Sequence, residues 1–317
     1  MGAWKMLLYV LQVQDQNEEA VAVLAGMTTA LVTPFDADFV FDEAAMRRSV
    51  RHQLEAGAAG LCVLGGTGEP LSLTLGENFR AVDTVVEETS GRAPVTVGCL
   101  LGAQADIIAT ARHAEAAGAD FIMLAPPYFF SVRPFDIERH VAAVAEACGL
   151  PIVFFHTPGR SGVRLGAEEL LALIHGNPSI RGIKEASGDM LLAGEVIQGA
   201  PDGFAFMQGL DELILPSLAL GAAGAILSLG ALLPRSLRAL FEHAREGRLD
   251  RARRIQLDLL PLCRWIYSEP NPAPLKYALE LAGSPAGPCR PPIYGPRDAT
   301  REALRTLLPP FLQAETG

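Results

Sequence analysis

Eight times in succession, between residues 28 and 245, a short apolar run bounded by Gly or Pro is followed by an amphipathic stretch of helical length. The runs lie at 28–33, 60–64, 94–99, 120–124, 151–155, 180–184, 204–207 and 224–227. Helical periodicity follows them at 42–55, 75–88, 104–117, 136–148, 167–175, 191–198, 211–220 and 234–245. Strands joined by helical crossovers pair in parallel, and eight such units close on themselves. The pattern predicts an α/β fold, a (β/α)8 TIM barrel over residues 27–246. Gly-rich turns at 56–60, 116–120 and 221–225 agree, each stopping a helix and starting a strand within a few residues. A doubly wound open sheet is the alternative, but no GxGxxG follows the first run.

Strand signals stop after Leu229. Residues 247–317 read as a C-terminal helical subdomain packed on the barrel, with periodic segments at 248–266 and 274–281 and a Pro-rich loop at 285–296. Residues 1–26 read as an extension outside the core; its apolar stretch, 4–13, is too short to span a bilayer and lacks a small-residue cleavage site after it.

A net charge of −10 argues against nucleic acid or an anionic membrane as partner. The five cysteines are odd in number, scattered and without metal-ligand spacing, which reads as reduced, buried thiols in a cytoplasmic protein that needs no metal or cofactor.

Barrel chemistry belongs at the C-terminal ends of the strands. Of 26 basic residues only three are lysines, Lys5, Lys184 and Lys276, and Lys184 closes the sixth run. Arginine cannot lose its proton near neutrality whereas a desolvated lysine can, and only a neutral amine attacks a carbonyl. Lys184 is therefore a candidate Schiff-base residue, although a strand-end lysine also serves as an ion-pair partner. The second run leads into Gly65-Gly66-Thr67-Gly68-Glu69, whose backbone N–H groups can cradle an anion. The fourth leads into Tyr128-Phe129-Phe130, and the fifth into His156-Thr157-Pro158-Gly159-Arg160. An amine, an anion cradle and an arginine at one mouth suit a keto-acid. Each also has a plain structural reading: Gly-rich turns for geometry, Arg160 as a cap or surface pair, His156 turned away from the barrel axis behind an inward Phe155.

The segments Ala30-Leu31-Val32-Thr33-Pro34-Phe35, Gly65-Gly66-Thr67-Gly68-Glu69 and Gly182-Ile183-Lys184-Glu185-Ala186-Ser187-Gly188-Asp189 resemble, in order, the opening strand, G-x-T-G-E loop and Schiff-base strand of the dihydrodipicolinate synthase / N-acetylneuraminate lyase superfamily of class I aldolases. Gly209-Leu210-Asp211, Gly224-Ala225-Ile226 and Asn271-Pro272-Ala273-Pro274-Leu275-Lys276 continue the resemblance. It implies a lyase in which Lys184 forms an imine with pyruvate or a related 2-keto acid and Thr67, with the backbone at Gly66, holds the carboxylate. Arg160 would receive the second substrate's carboxylate, Gly209 and Ile226 would line the pocket, and the assembly would be a homotetramer built as a dimer of dimers.

Three positions depart from the family pattern. Its strand-five tyrosine proton shuttle is Phe155 here, and the hydroxyl and second tyrosine linked to that shuttle are Gly66 and Phe129. An ordinary synthase is therefore not expected. Proton transfer is expected through His156 or Tyr128, ahead of Ser161, Ser228 or a water, and Phe129, Phe130 and Phe155 point to an apolar pocket. The substrate would be a 2-keto acid, used with an aldehyde or as part of a sugar acid. The alternatives are a keto-deoxy sugar-acid dehydratase and a poorly catalytic keto-acid-binding paralogue.

Overall fold

Parallel hydrogen bonding links eight strands in chain order and then joins the last to the first in the computed structural model, which describes residues 24–316. The strands are β1 (Gly26–Ala30), β2 (Gly60–Val63), β3 (Val95–Cys99), β4 (Phe121–Leu124), β5 (Ile152–His156), β6 (Ile180–Glu185), β7 (Ala205–Gln208) and β8 (Gly224–Leu227). Closure is made by β8 against β1, from Gly26↔Gly224 to Thr29↔Leu227. The crossover helices are α1 (Glu43–Glu55), α2 (Leu75–Thr89), α3 (Gln104–Ala117), α4 (Pro134–Ala147), α5 (Ala167–Gly176), α6 (Met190–Gly199), α7 (Ile214–Leu220) and α8 (Pro234–Arg245). The amphipathic stretch at 211–220 splits, its first residues forming a separate 3-10 turn, Asp211–Leu213. Gly118 and Gly221 end α3 and α7 with φ of +89° and +105°, angles that a side chain would strain.

Alternation along each strand sorts its side chains into two layers. On β5, Val153 and Phe155 join the inner cluster with Cys62, Met123, Met207 and Ile226, whereas Ile152 and Phe154 pack outward against the helices. Each such fully buried apolar side chain stabilises the fold by about 1.5–3 kcal/mol relative to exposure.

The chain enters the barrel earlier than its sequence signal. Gly26 already pairs with β8, and Leu24 is buried in the inner cluster, so the expected boundary after residue 26 falls inside the first strand. Pairing ends at Ala30 because the following residues turn over the Gly-rich loop, where Thr33 Oγ1 donates to Gly68 O at 2.6 Å. The remainder of the expected extension, with its apolar stretch at 4–13, lies outside the described residues.

Four further helices follow: α9 (Leu249–Ile266), α10 (Ala273–Leu281), α11 (Asp298–Leu307) and α12 (Pro309–Thr316). They are stitched to the mouth by buried polar contacts. Gln256 on α9 donates from Nε2 to Asp211 O at 3.0 Å and accepts from Leu215 N, also at 3.0 Å. Lys276 on α10 pairs with Glu69 Oε1 at 2.7 Å, and Arg290 N donates to Glu69 Oε2 at 2.9 Å. The subdomain therefore closes one side of the barrel mouth. No helix among the described residues is long and apolar enough to cross a membrane.

Candidate active site

Lys184 stands one residue from the end of β6, beside Phe155 of β5 and Met207 of β7. It is 6% exposed, and its Nζ lies 4.5 Å from the centre of the Phe155 ring. Burial pushes its amine down to about 8; Cys62 and Asp211 oppose that shift and the positive charge of Arg160 adds to it. Lys276 makes an instructive contrast. It too is buried, but Glu69 pairs with it, whereas no carboxylate among the described residues forms an ion pair with Lys184. Of these two lysines, the one without a carboxylate partner is thus the one at the strand end.

The Gly-rich loop after β2 forms a 3-10 turn, Gly66–Gly68. The first N–H groups of such a turn have no partner inside it and are open to an anion. Gly66 has a second role: a Cβ there would lie 2.7 Å from Arg160 Nη1, so the missing side chain is the space that the guanidinium occupies. Arg160 belongs to a single helical turn after β5, Pro158–Ser161; desolvation lowers its pKa while the neighbouring Tyr267 oxygen opposes that. Thr67 Oγ1 is 2.7 Å from Ser228 Oγ, just past β8, and accepts from Asn271 Nδ2 at 3.1 Å. The Tyr267 phenol donates to Asp211 Oδ2. Asp211 is fully buried, and burial, against the Tyr267 hydrogen bond, pushes its carboxyl up to about 6.

A cavity of about 200 Å³ opens at this mouth, lined by Gly66, Arg160, Tyr128, Phe155 and Asn271 among others, with Leu100 and Ile293 adding apolar wall. Lys184 does not line it; Phe155, which does, is the side chain against its amine. Gly209 sits where a Cβ would meet Glu185 O at 2.8 Å, and its N–H donates to that oxygen at 2.7 Å. It is thus required by the close approach of β6 and β7. Ile226 is fully buried in the inner cluster, away from the cavity wall.

Two expectations need correction. His156 is fully buried on the outward face of β5. Its Nε2 accepts from Leu165 N at 3.2 Å, which leaves the proton on Nδ1 to be donated to Glu185 Oε1 at 3.1 Å. Both ring nitrogens are engaged away from the cavity, because a one-residue step along a strand reverses the side chain. Phe129 and Phe130 are 96% and 66% exposed and do not line the cavity; of the three phenylalanines only Phe155 does. Tyr128 does line it, with its hydroxyl donating to Leu100 O at 3.2 Å and burial raising its pKa.

Asp211, Tyr267 and Asn271 join the site without having been singled out as its residues. Asp211 and Asn271 fall in segments that carry the family resemblance, but Tyr267 ends a C-terminal helix with no local signal of its role. All five cysteines are buried and free. No group of three or more His, Cys, Asp or Glu among the described residues is placed to hold a metal ion.

The chain resembles named proteins along most of its length. It is 36% identical over 286 residues to the 4-hydroxy-tetrahydrodipicolinate synthase of Methanopyrus kandleri, covering 90% of this chain and 95% of the relative. It is 38% identical over 274 residues to the enzyme of the same name from Exiguobacterium sibiricum, covering 86% and 93%. The solved 4-hydroxy-tetrahydrodipicolinate synthase of Methylacidiphilum fumariolicum superposes with a TM-score of 0.87 at 30% identity, over 92% of this chain and 97% of that one. The model of the dihydrodipicolinate synthetase family matches residues 23–309, and the chain belongs to that family of lyases.

Proposed function

We propose that the protein is a Schiff-base lyase in which Lys184 attacks the ketone carbon of pyruvate or a related 2-keto acid. The single observation that carries this reading is the state of the amine: buried, without a carboxylate partner among the described residues, and held down to about 8 at the barrel mouth. At pH 7 about a tenth of such amines are neutral, against about 0.03% at an ordinary lysine pKa, roughly a 300-fold gain in nucleophile. Attack gives a carbinolamine, loss of water gives the imine, and the imine withdraws electrons from the neighbouring carbon. In this reading Thr67 and the backbone at Gly66 hold the keto acid's carboxylate, and Arg160 the anionic or hydroxyl end of its partner.

Conversion as in the named synthases is not the activity this site favours. Phe155 presents a ring, not a phenol, to the Lys184 amine, and Arg160 occupies the space that a side chain at residue 66 would need. The apolar walls from Leu100, Phe155 and Ile293 favour a partner with an apolar portion, joined to the keto acid or cleaved from it. The exposed Phe129 and Phe130 fit burial between copies in a homotetramer, and the five free thiols fit the cytoplasm.

Borohydride trapping tests the reading. Incubation with pyruvate and with a panel of longer 2-keto acids, followed by reduction and peptide mass spectrometry, should place one reduced keto-acid adduct on Lys184. No adduct from any member of the panel refutes the proposal.

A further inference from the structure

Glu69 follows the Gly-rich turn in a conformation that side chains rarely adopt. Its φ and ψ are 52° and 40°, in the left-handed region where a Cβ is crowded and glycine is the usual occupant. A residue of this kind stays there only when its surroundings hold it. Both carboxylate oxygens of Glu69 are held, and from the same subdomain. Oε1 meets Lys276 Nζ at 2.7 Å, and Oε2 accepts from Arg290 N at 2.9 Å. Glu69 and Lys276 are 5% and 4% exposed, so water does not compete for this pair. Lys276 is itself anchored, donating to Pro288 O at 2.8 Å with its Nζ 4.4 Å from the centre of the Phe35 ring. Arg290 also reaches past Glu69 along the chain, donating from Nη1 to Ser72 O at 3.0 Å.

These contacts bear on the site because Glu69 and Gly66 both line the cavity at the barrel mouth. The turn between them, Gly66–Gly68, is a single 3-10 turn closed by Gly68 N donating to Gly65 O at 2.8 Å. One turn has too few internal bonds to hold its own shape. The direction of its open N–H groups is therefore set from outside. Thr33 Oγ1 fixes Gly68 O, Asn271 Nδ2 fixes Thr67 Oγ1, and the carboxylate of Glu69 fixes the exit of the chain. We propose that Glu69, tied to Lys276, is the positioning residue of the carboxylate cradle, so that the C-terminal subdomain sets how tightly the barrel holds a keto acid. This rests on the keto-acid reading above.

Charge as well as shape gives the pair its role. A lone carboxylate in the cavity wall would repel the carboxylate of the substrate, and the ammonium of Lys276 offsets it. Lys276 does not line the cavity and acts only through Glu69. A buried pair that served stability alone could be replaced by apolar side chains with little consequence. One that ends on a left-handed residue in the cavity wall could not, because the turn would lose its outer hold.

Pyruvate and methyl pyruvate share a ketone and differ in the free carboxylate, so comparing them isolates the cradle. The rate of reductive trapping on Lys184 by cyanoborohydride, measured against the concentration of each, gives a half-saturating concentration and a rate at saturation. Partial unfolding lowers the amount of adduct but leaves the half-saturating concentration of the folded remainder unmoved. The wild type should favour pyruvate. In Glu69→Ala the half-saturating pyruvate concentration should rise on the order of tenfold or more, as for a lost charge-assisted hydrogen bond, with the saturating rate and the methyl pyruvate value little changed. Glu69→Ala with Lys276→Met leaves no buried charge unpaired and should show the same shift even if the single variant folds poorly. An unchanged preference for pyruvate in the folded double variant overturns the proposal, as does an equal loss for both ketones or a wild type that does not distinguish them. Adduct on the wild type with unaltered variants sinks the positioning role alone; no adduct on the wild type with either ketone removes the keto-acid reading and this role with it.

Discussion

Replacing Lys184 with methionine should remove the adduct and stabilise the fold at neutral pH. In the unfolded chain the amine titrates near 10.5, and in the folded protein burial holds it down to about 8. Folding at pH 7 therefore places an ammonium where the charged form is disfavoured, a cost of about 3 kcal/mol at about 1.4 kcal/mol per pKa unit. Lys184 is only 6% exposed, so solvent screening takes little from that figure. The sign follows from proton binding. Between about pH 8 and 10.5 the unfolded chain holds the proton and the folded one has released it, so wild-type stability rises with pH across that window. Methionine has no such dependence, and its thioether packs well against the Phe155 ring now facing the amine. The advantage of the variant should be about 3 kcal/mol at pH 7 and shrink to about 1 kcal/mol at pH 10. Urea unfolding of both proteins at the two pH values measures it, since the other titrating groups are common to both chains. A variant that is less stable at pH 7, or an advantage that does not shrink by pH 10, refutes the claim that Lys184 is held desolvated.

Three other outcomes follow from the site. Trapping by pyruvate should quicken about tenfold per pH unit and level off above the lowered amine value of about 8; a rise that continues towards 10.5 would contradict the burial argument. Gly66→Ala puts a Cβ 2.7 Å from Arg160 Nη1, so the guanidinium must shift by about 1 Å. Misplacement on that scale costs about 10²-fold in turnover with an anionic partner, while thermal unfolding moves little; unaltered turnover would show that Arg160 does not hold the partner. Glu69→Ala leaves the Lys276 ammonium buried without its 2.7 Å partner and should cost 3–5 kcal/mol, roughly the usual loss for a broken buried pair, with much of it recovered on adding Lys276→Met; urea unfolding of the single and double variants checks both parts.

Much of the architecture is legible in the chain because it is written at short range. The period of two along a strand and of 3.6 along a helix sit within windows of a dozen residues, which is why the runs at 60–64 and 224–227 differ from their strands by at most one residue. The first run was harder to read. Its apolar character continues through Leu31 and Val32, which are buried without being paired as strand. The split of 211–220 was likewise invisible, since both pieces share one amphipathic pattern.

The candidate site divides along the same line. A rare lysine at a strand end and a Gly-rich turn are local facts, and barrel topology alone brings them to one mouth. Which way His156 faces depends on strand register. That Arg160 fills the void at Gly66 depends on two loops meeting in space. That Tyr267 reaches Asp211, 56 residues away, depends on how α9 docks across the barrel mouth. By itself the sequence determined the barrel, its strand order and the position of the amine, because these follow from local periodicity and chain connectivity. Only the tertiary structure decided which hydroxyls and which carboxylate share the mouth with that amine, because contacts between distant segments are set by docking geometry that leaves no local period in the chain.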